Sequence, residues 1–152
     1  MSMDLEEQYD KIYRYCYGKL HDRALAEDVT QETFLRYFAA GSYREQGKAL
    51  RYLYVTARNL CTDEYRRTKP EALQEETAPP VPDGMDQRLE TMALAAAVEA
   101  LDDEERELVL LRYVNDVPVG VIAGLLGISR FAVYRRTAAI LEKLRRRLEG
   151  EP

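Results

Sequence analysis

The sequence predicts an all-α protein built as two small helical domains joined by a flexible linker. Three observations carry that reading. Apolar residues recur at three- and four-residue intervals towards both ends of the chain, strand-like alternation is almost absent, and one acidic, proline-rich stretch interrupts the periodicity. A chain of 152 residues fits one large domain or two small ones, and small domains need efficient helical packing to bury enough surface. The expected division is a first domain over 1–68, a linker over 69–85 and a second domain over 86–152. The linker region holds four of the six prolines and lacks apolar periodicity.

Each element follows from its pattern. Leu5, Tyr9, Ile12, Cys16 and Leu20 mark a first helix, closed by a turn at His21-Asp22. A second helix runs from about Ala24 to Ala40, with Ala26, Phe34, Tyr37 and Phe38 as its core arc. Gly41 to Gly47 reads as a loop. A third helix from about Lys48 to Thr68 carries Leu50, Leu53, Tyr54, Ala57 and Cys61 as a buried stripe. Beyond the linker, 86–101 is an alanine-rich helix. Asp102 and Glu105 then resemble a capping box for a helix through Leu108, Leu111 and Val114. Asn115-Asp116 is a turn, and Pro118 suits the first position of a short helix to Leu126. Gly127 allows a tight turn, and Ser129 is placed to cap a last helix running to Leu148.

The formal net charge of −5 excludes a uniformly basic DNA-coating protein, but the charge is uneven. Ser129–Leu148 holds seven basic residues against one acid, Glu142. Cys16 and Cys61 form no metal-binding spacing and read as buried, reduced thiols. No cofactor or metal site is expected. The only histidine, His21, reads as a capping or exposed residue, so an enzyme is disfavoured. No apolar run approaches membrane-spanning length and the N-terminus lacks a signal-peptide pattern, so a soluble, cytoplasmic chain is expected.

The strongest local signal is a helix-turn-helix over 118–136. Ile122 and Ala123 face inward where two helices cross, Gly127 makes the turn, and Ile128 and Val133 plug the angle. This leaves the second helix free to enter a major groove, with Arg130, Phe131, Tyr134, Arg135 and Arg136 exposed to base edges and phosphates. A helical hairpin with a basic solvated face gives the same pattern. The tail Lys143, Arg145, Arg146 and Arg147 also has a plain explanation, because cations favour a helix C-terminus.

In the first half, Asp28, Gln31, Glu32 and Leu35 fall at i, i+3, i+4 and i+7 and share one helical stripe. Two carboxylates, an amide and a leucine make a docking face or a plain solvated one. No nucleophile or histidine accompanies them for acid–base work.

These residues resemble a known family. Asp28-x-x-Gln31-Glu32-x-Phe34, followed by Tyr52-Leu53, Ala57-Arg58-Asn59, Asp63 and Arg66-Arg67, is similar to the second region of extracytoplasmic-function sigma factors. Leu101, Glu107, Leu110, Leu111-Arg112-Tyr113, Ile122-Ala123, Leu126-Gly127-Ile128-Ser129 and Val133 resemble their fourth region. The resemblance implies that Asp28, Gln31 and Glu32, with Leu35 on the same stripe, grip core RNA polymerase. It implies that the loop around Tyr43 and the third helix read the melted, single-stranded −10 element, where the family captures a flipped base. Asn59 and Asp63 would lie near that pocket. Arg58, Arg66 and Arg67 would hold the backbone, and Tyr43 and Tyr52 are candidate stacking groups. The last helix would read the −35 element as duplex.

Departures from the family pattern fall on the short helix and on the last one. Gly120 and Val121 stand where an acidic pair is usual, Gly124 replaces a third acid, and Tyr134 and Ala139 stand where bases are frequent. Each glycine weakens the helix by about 1 kcal/mol. The apolar surface of Val119, Val121 and Leu125 either docks a partner, such as an inhibitor or a second domain, or packs on the alanine-rich helix, and the second reading is preferred. The favoured function is promoter recognition with core polymerase. The alternatives are a one-component helix-turn-helix regulator, which would bind a palindromic site unaided, and a sigma-like interaction protein that does not read DNA.

Overall fold

The computed structural model describes residues 4–41, 46–68 and 85–150, and every element among them is helical. The loop containing Tyr43 and linker residues 69–84 lie outside the described residues. Helix α1 (Leu5–Leu20) starts at Asp4, whose carboxylate accepts from the backbone N–H of Glu6 and Glu7. His21 ends it in the left-handed region, φ 55°, and its N–H donates to the Tyr17 carbonyl. Asp22 caps α2 (Arg23–Ala40) at once by accepting from Leu25 N–H, so one αL residue separates two caps. Gly41, φ 65°, closes α2. Helix α3 (Gln46–Thr68) begins two residues earlier than the periodicity predicts.

The first three helices pack against one another around Ile12, Tyr15, Cys16, Val29, Phe34, Leu53, Tyr54, Ala57 and Cys61. Thr30 and Thr33 are buried in α2 because their hydroxyls donate to carbonyls one turn back, Ala26 and Val29. Phe38 departs from expectation. It is 60% exposed, because α2 turns the arc of Ala26, Val29, Thr30, Thr33 and Phe34 inward. Leu50 is only half-buried.

Helix α4 (Met85–Glu99) packs on the last helix, α7 (Arg130–Leu148). The predicted capping box is present: Asp102 accepts from Glu105 N–H at 2.8 Å and Glu105 accepts from Asp102 N–H at 3.0 Å, opening α5 (Asp103–Val109). The chain then winds more loosely into a π-helical turn over Leu110–Val114, where Asn115 N–H reaches the Leu110 carbonyl. Asp116 takes φ 54°, and Pro118 precedes α6 (Val119–Leu126) at the cap rather than inside its first turn. Gly127, φ 71°, and Ser129, whose hydroxyl accepts from Ala132 N–H at 3.0 Å, form the turn into α7.

The two ends of the chain share one continuous apolar cluster. Leu110 packs against Gly18 of α1, so closely that a Cβ there would lie 2.7 Å from it. Asn115 is buried between the halves; its amide donates to the Lys11 carbonyl at 2.7 Å and to the Tyr54 hydroxyl at 2.8 Å. Burial pushes the Tyr54 phenol up to about 12. The preferred packing for α6 is overturned: it lies on α3, the π-helical turn and α7 rather than on α4. Leu125 is buried there, and Val119 and Val121 are half-buried.

Candidate nucleic-acid interface

Three exposed helix faces carry the side chains singled out in the sequence. On α2, Asp28 and Gln31 are exposed, Glu32 is half-exposed, and Leu35 is 64% exposed. Glu32 holds Arg36 at 2.9 Å. Phe38 extends this stripe at i+7 from Gln31 and i+3 from Leu35, so the face ends in two uncovered apolar side chains. That spacing was visible in the sequence; the aromatic character of Phe38 hid it, since aromatic residues are more often inside.

On α3, Asn59, Asp63 and Arg66 recur at i, i+4 and i+7 and are all exposed. Arg67 is exposed and bound to Glu64 at 2.6 Å. Tyr52 is half-buried, and its hydroxyl donates to the Arg36 carbonyl at 3.2 Å. Arg58 is apart from this stripe. Its guanidinium turns to the other half of the molecule and donates to Glu107 at 2.9 Å.

On α7, Ala132, Val133, Thr137, Ile140 and Leu144 face inward, which fixes the outward face. That face presents Arg130, Phe131, Tyr134 and Arg135, with Arg136 beside them, all exposed. Phe131 is 72% exposed and Tyr134 57%, far from the burial two large aromatics ordinarily reach. The Arg135 guanidinium lies 5.6 Å from the Phe131 ring centre, a cation–π contact. The basic tail is occupied within the protein: Arg145 pairs with Glu142 and Glu149, Arg146 with Glu142, Lys143 with Glu105, and Arg147 donates to the Ala97 carbonyl.

Glu107, which the sequence offers only as one residue of the family resemblance, has a role that its pattern does not reveal. It is 6% exposed and gathers three partners from the other half: the Tyr15 hydroxyl at 2.5 Å, Arg58 Nε at 2.9 Å and Lys19 Nζ at 3.3 Å. Burial pushes its carboxyl up. The Lys19 charge, the hydrogen bonds from Tyr15 and Arg58 and the Arg58 charge outweigh burial and hold it below the usual glutamate range. Burial and the adjacent Glu107 push the Tyr15 phenol well up. Nearby, Cys16 and Cys61 are buried free thiols whose proximity pulls Cys16 down and pushes Cys61 up. Among the described residues no cluster of histidine, cysteine or carboxylate is arranged for a metal. No described helix is long and apolar enough to cross a membrane.

The chain thus joins a helix-turn-helix, whose last helix has an exposed face of arginines and aromatics, to a three-helix unit with an exposed acidic stripe. The sigma-70 region 2 family matches residues 5–71, and the sigma-70 region 4 family matches 91–144. The sigma factor BldN of Streptomyces coelicolor is 32% identical over 142 residues, which is 85% of this chain and 53% of BldN. SigW of Bacillus subtilis is 30% identical over 156 residues, 91% of this chain and 83% of SigW. This chain thus spans about half the length of one such relative and most of the other. A solved structure of sigma factor RpoE from Bartonella quintana, crystallised with the anti-sigma factor NepR, shares the fold with a TM-score of 0.67 at 16% identity, over 95% of this chain and 93% of that one. The chain belongs to the extracytoplasmic-function sigma factors, the RNA polymerase subunits that direct promoter recognition.

Proposed function

We propose that this chain binds core RNA polymerase through the α2 stripe of Asp28, Gln31, Glu32, Leu35 and Phe38, and reads a promoter with α3 and α7. Asn59, Asp63 and Arg66 face the melted strand of the −10 element, with Arg67 beside them. Arg130, Phe131, Tyr134, Arg135 and Arg136 face the −35 duplex. The expected loop residue Tyr43 belongs to the same −10 reader. Residues 1–68 act as the polymerase-binding unit and 86–152 as the duplex-reading unit. The protein acts in the cytoplasm, without catalysis of its own, and an anti-sigma inhibitor is its natural regulator.

The observation that carries the reading is the outward face of α7. Two uncovered aromatics and three arginines stand at the start of a capped helix that follows a tight turn, the geometry of a helix presented to a groove. Purified protein added to active core polymerase should give specific transcripts from a promoter of its own genome. Absence of any transcript, with core shown active on a control factor, refutes the proposal. One observation favours the interaction-protein alternative: the self-neutralised tail leaves few free cations on α7. That alternative predicts undiminished function in the double variant Arg135→Ala, Arg136→Ala.

A further inference from the structure

We propose that Cys16 and Cys61 form a modification site at which hydrogen peroxide converts the two thiols into a disulfide, tying α1 to α3. The site rests on the packing of α1 and α3. Its effect on transcription rests also on the reading of α3 as the face for the −10 element.

The register of the two helices brings the thiols together. Asn115 reaches the Lys11 carbonyl of α1 and the Tyr54 hydroxyl of α3. Glu107 reaches Tyr15 and Arg58, one turn further along both helices. α1 and α3 therefore run side by side in the same direction, with the Tyr15 and Tyr54 rings 5.7 Å apart between them. Cys16 follows Tyr15, and Cys61 lies on the next turn after Arg58. Both thiols point into the three-helix core, 0% and 1% exposed, and they are the only cysteines in the chain. Each perturbs the other, and the Lys19 ammonium favours the thiolate at both.

A buried pair needs a route for the oxidant. A groove of about 650 Å³ has Cys61 in its wall, with Gly18, Lys19, His21 and Thr62 around it. Hydrogen peroxide is uncharged and little larger than water, so a groove of this size admits it to the Cys61 sulfur.

Peroxide alone balances the reaction. The Cys61 sulfur takes one peroxide oxygen: the S–O bond forms as the O–O bond breaks, and the departing hydroxide leaves as water with the thiol proton. Cys16, the thiol held lower and so the readier to ionise, then attacks the Cys61 sulfur. The S–S bond forms, the S–O bond breaks, and the hydroxyl leaves with the Cys16 proton as a second water. Two thiols have lost the two electrons that the peroxide gained. An S–S bond is about 2 Å long, shorter than any contact between two thiols, so closing it draws α3 against α1. Asn59 and Asp63 stand two residues to either side of Cys61 and move with it.

The test treats the full chain, reduced and desalted, with excess hydrogen peroxide, and removes the peroxide with catalase before core polymerase is added. A non-reducing digest should contain the Cys16 peptide joined to the Cys61 peptide, and the urea midpoint should rise. Transcription should fall about tenfold or more, as displaced positioning groups do, and dithiothreitol should restore both thiols and transcripts. Cys16→Ala should keep its transcripts through the same treatment and yield a Cys61 sulfenic acid trapped by dimedone. A folded chain that keeps both thiols, while a cysteine peptide in the same tube is oxidised, overturns the site. So does a disulfide that forms only between chains or only in urea. An internal disulfide with undiminished transcription overturns the effect on α3. Should Cys16→Ala unfold, the parent's digest and its reversal by dithiothreitol decide alone. Transcription by the untreated chain, measured in parallel, separates failure of the promoter-reading assignment from failure of the site.

Discussion

Glu107→Ala is expected to cost about 3 kcal/mol of stability, and the figure follows from what each partner does next. The Tyr15 hydroxyl is fully buried and has no water to turn to, so it loses a charge-assisted bond and is left unsatisfied, a cost of about 2 kcal/mol. Arg58 and Lys19 keep side-chain exposures of 36% and 25%, so they rehydrate, and each loses only about 0.5 kcal/mol. The assay is urea unfolding at neutral pH, followed by far-ultraviolet circular dichroism, of the parent, Glu107→Ala, Tyr15→Phe and the double variant. Most of the loss should appear as coupling between Glu107 and Tyr15, about 1.5 kcal/mol or more, because removing both partners leaves no orphan. A loss below about 1 kcal/mol, or additive single effects, would refute the view that Glu107 is a desolvated, cross-boundary acceptor.

Three further outcomes follow. Because Glu107 is held below the usual range, its carboxylate contributes stability that is fully present above the unfolded-state value of about 4.3 and is lost as pH falls through the lower folded value. The stability gap between parent and Glu107→Gln should therefore be constant near neutrality and close on acidification, read as unfolding midpoints from pH 7 down to pH 3; a gap that widens in acid contradicts the assignment. Leu35→Asp with Phe38→Asp should leave the melting temperature near the parent's, since both side chains are already exposed, yet weaken capture of core polymerase by tenfold or more in a pull-down titration. His21→Gly should raise stability by up to about 1 kcal/mol by relieving a non-glycine αL position, measured by thermal unfolding.

Where local chemistry decides structure, the sequence was legible. Asp102 with Glu105, Gly127 and Ser129 mark helix ends by their own hydrogen-bonding capacity and backbone freedom, and each stands where its residue type predicts. The exposed stripes on α2 and α7 were likewise readable, because periodicity assigns faces. What could not be read is which apolar face meets which. By pattern alone the Val119–Leu125 surface could meet α4 or α3; it meets α3, where the Arg51 guanidinium lies beside Gly124. Glu107 was counted as one family position among many, for burial of a carboxylate depends on partners 49 and 92 residues away. The π-helical turn at Leu110–Val114 carries no sequence signature at all.

The neutralised end of α7 bears on how the protein searches a genome. Non-specific affinity for DNA grows with the number of cations that displace condensed counterions from phosphates, each displacement steepening the dependence on salt. With Arg145 and Arg146 answered by Glu142 and Glu149, the end of α7 offers a random stretch of duplex less than its sequence suggests, and the cationic contact falls to Arg130, Arg135 and Arg136 at its start. Fewer available cations shorten the time such a helix spends on a random sequence. Selectivity in that case rests on side-chain contacts at the start of the helix rather than on charge along its length.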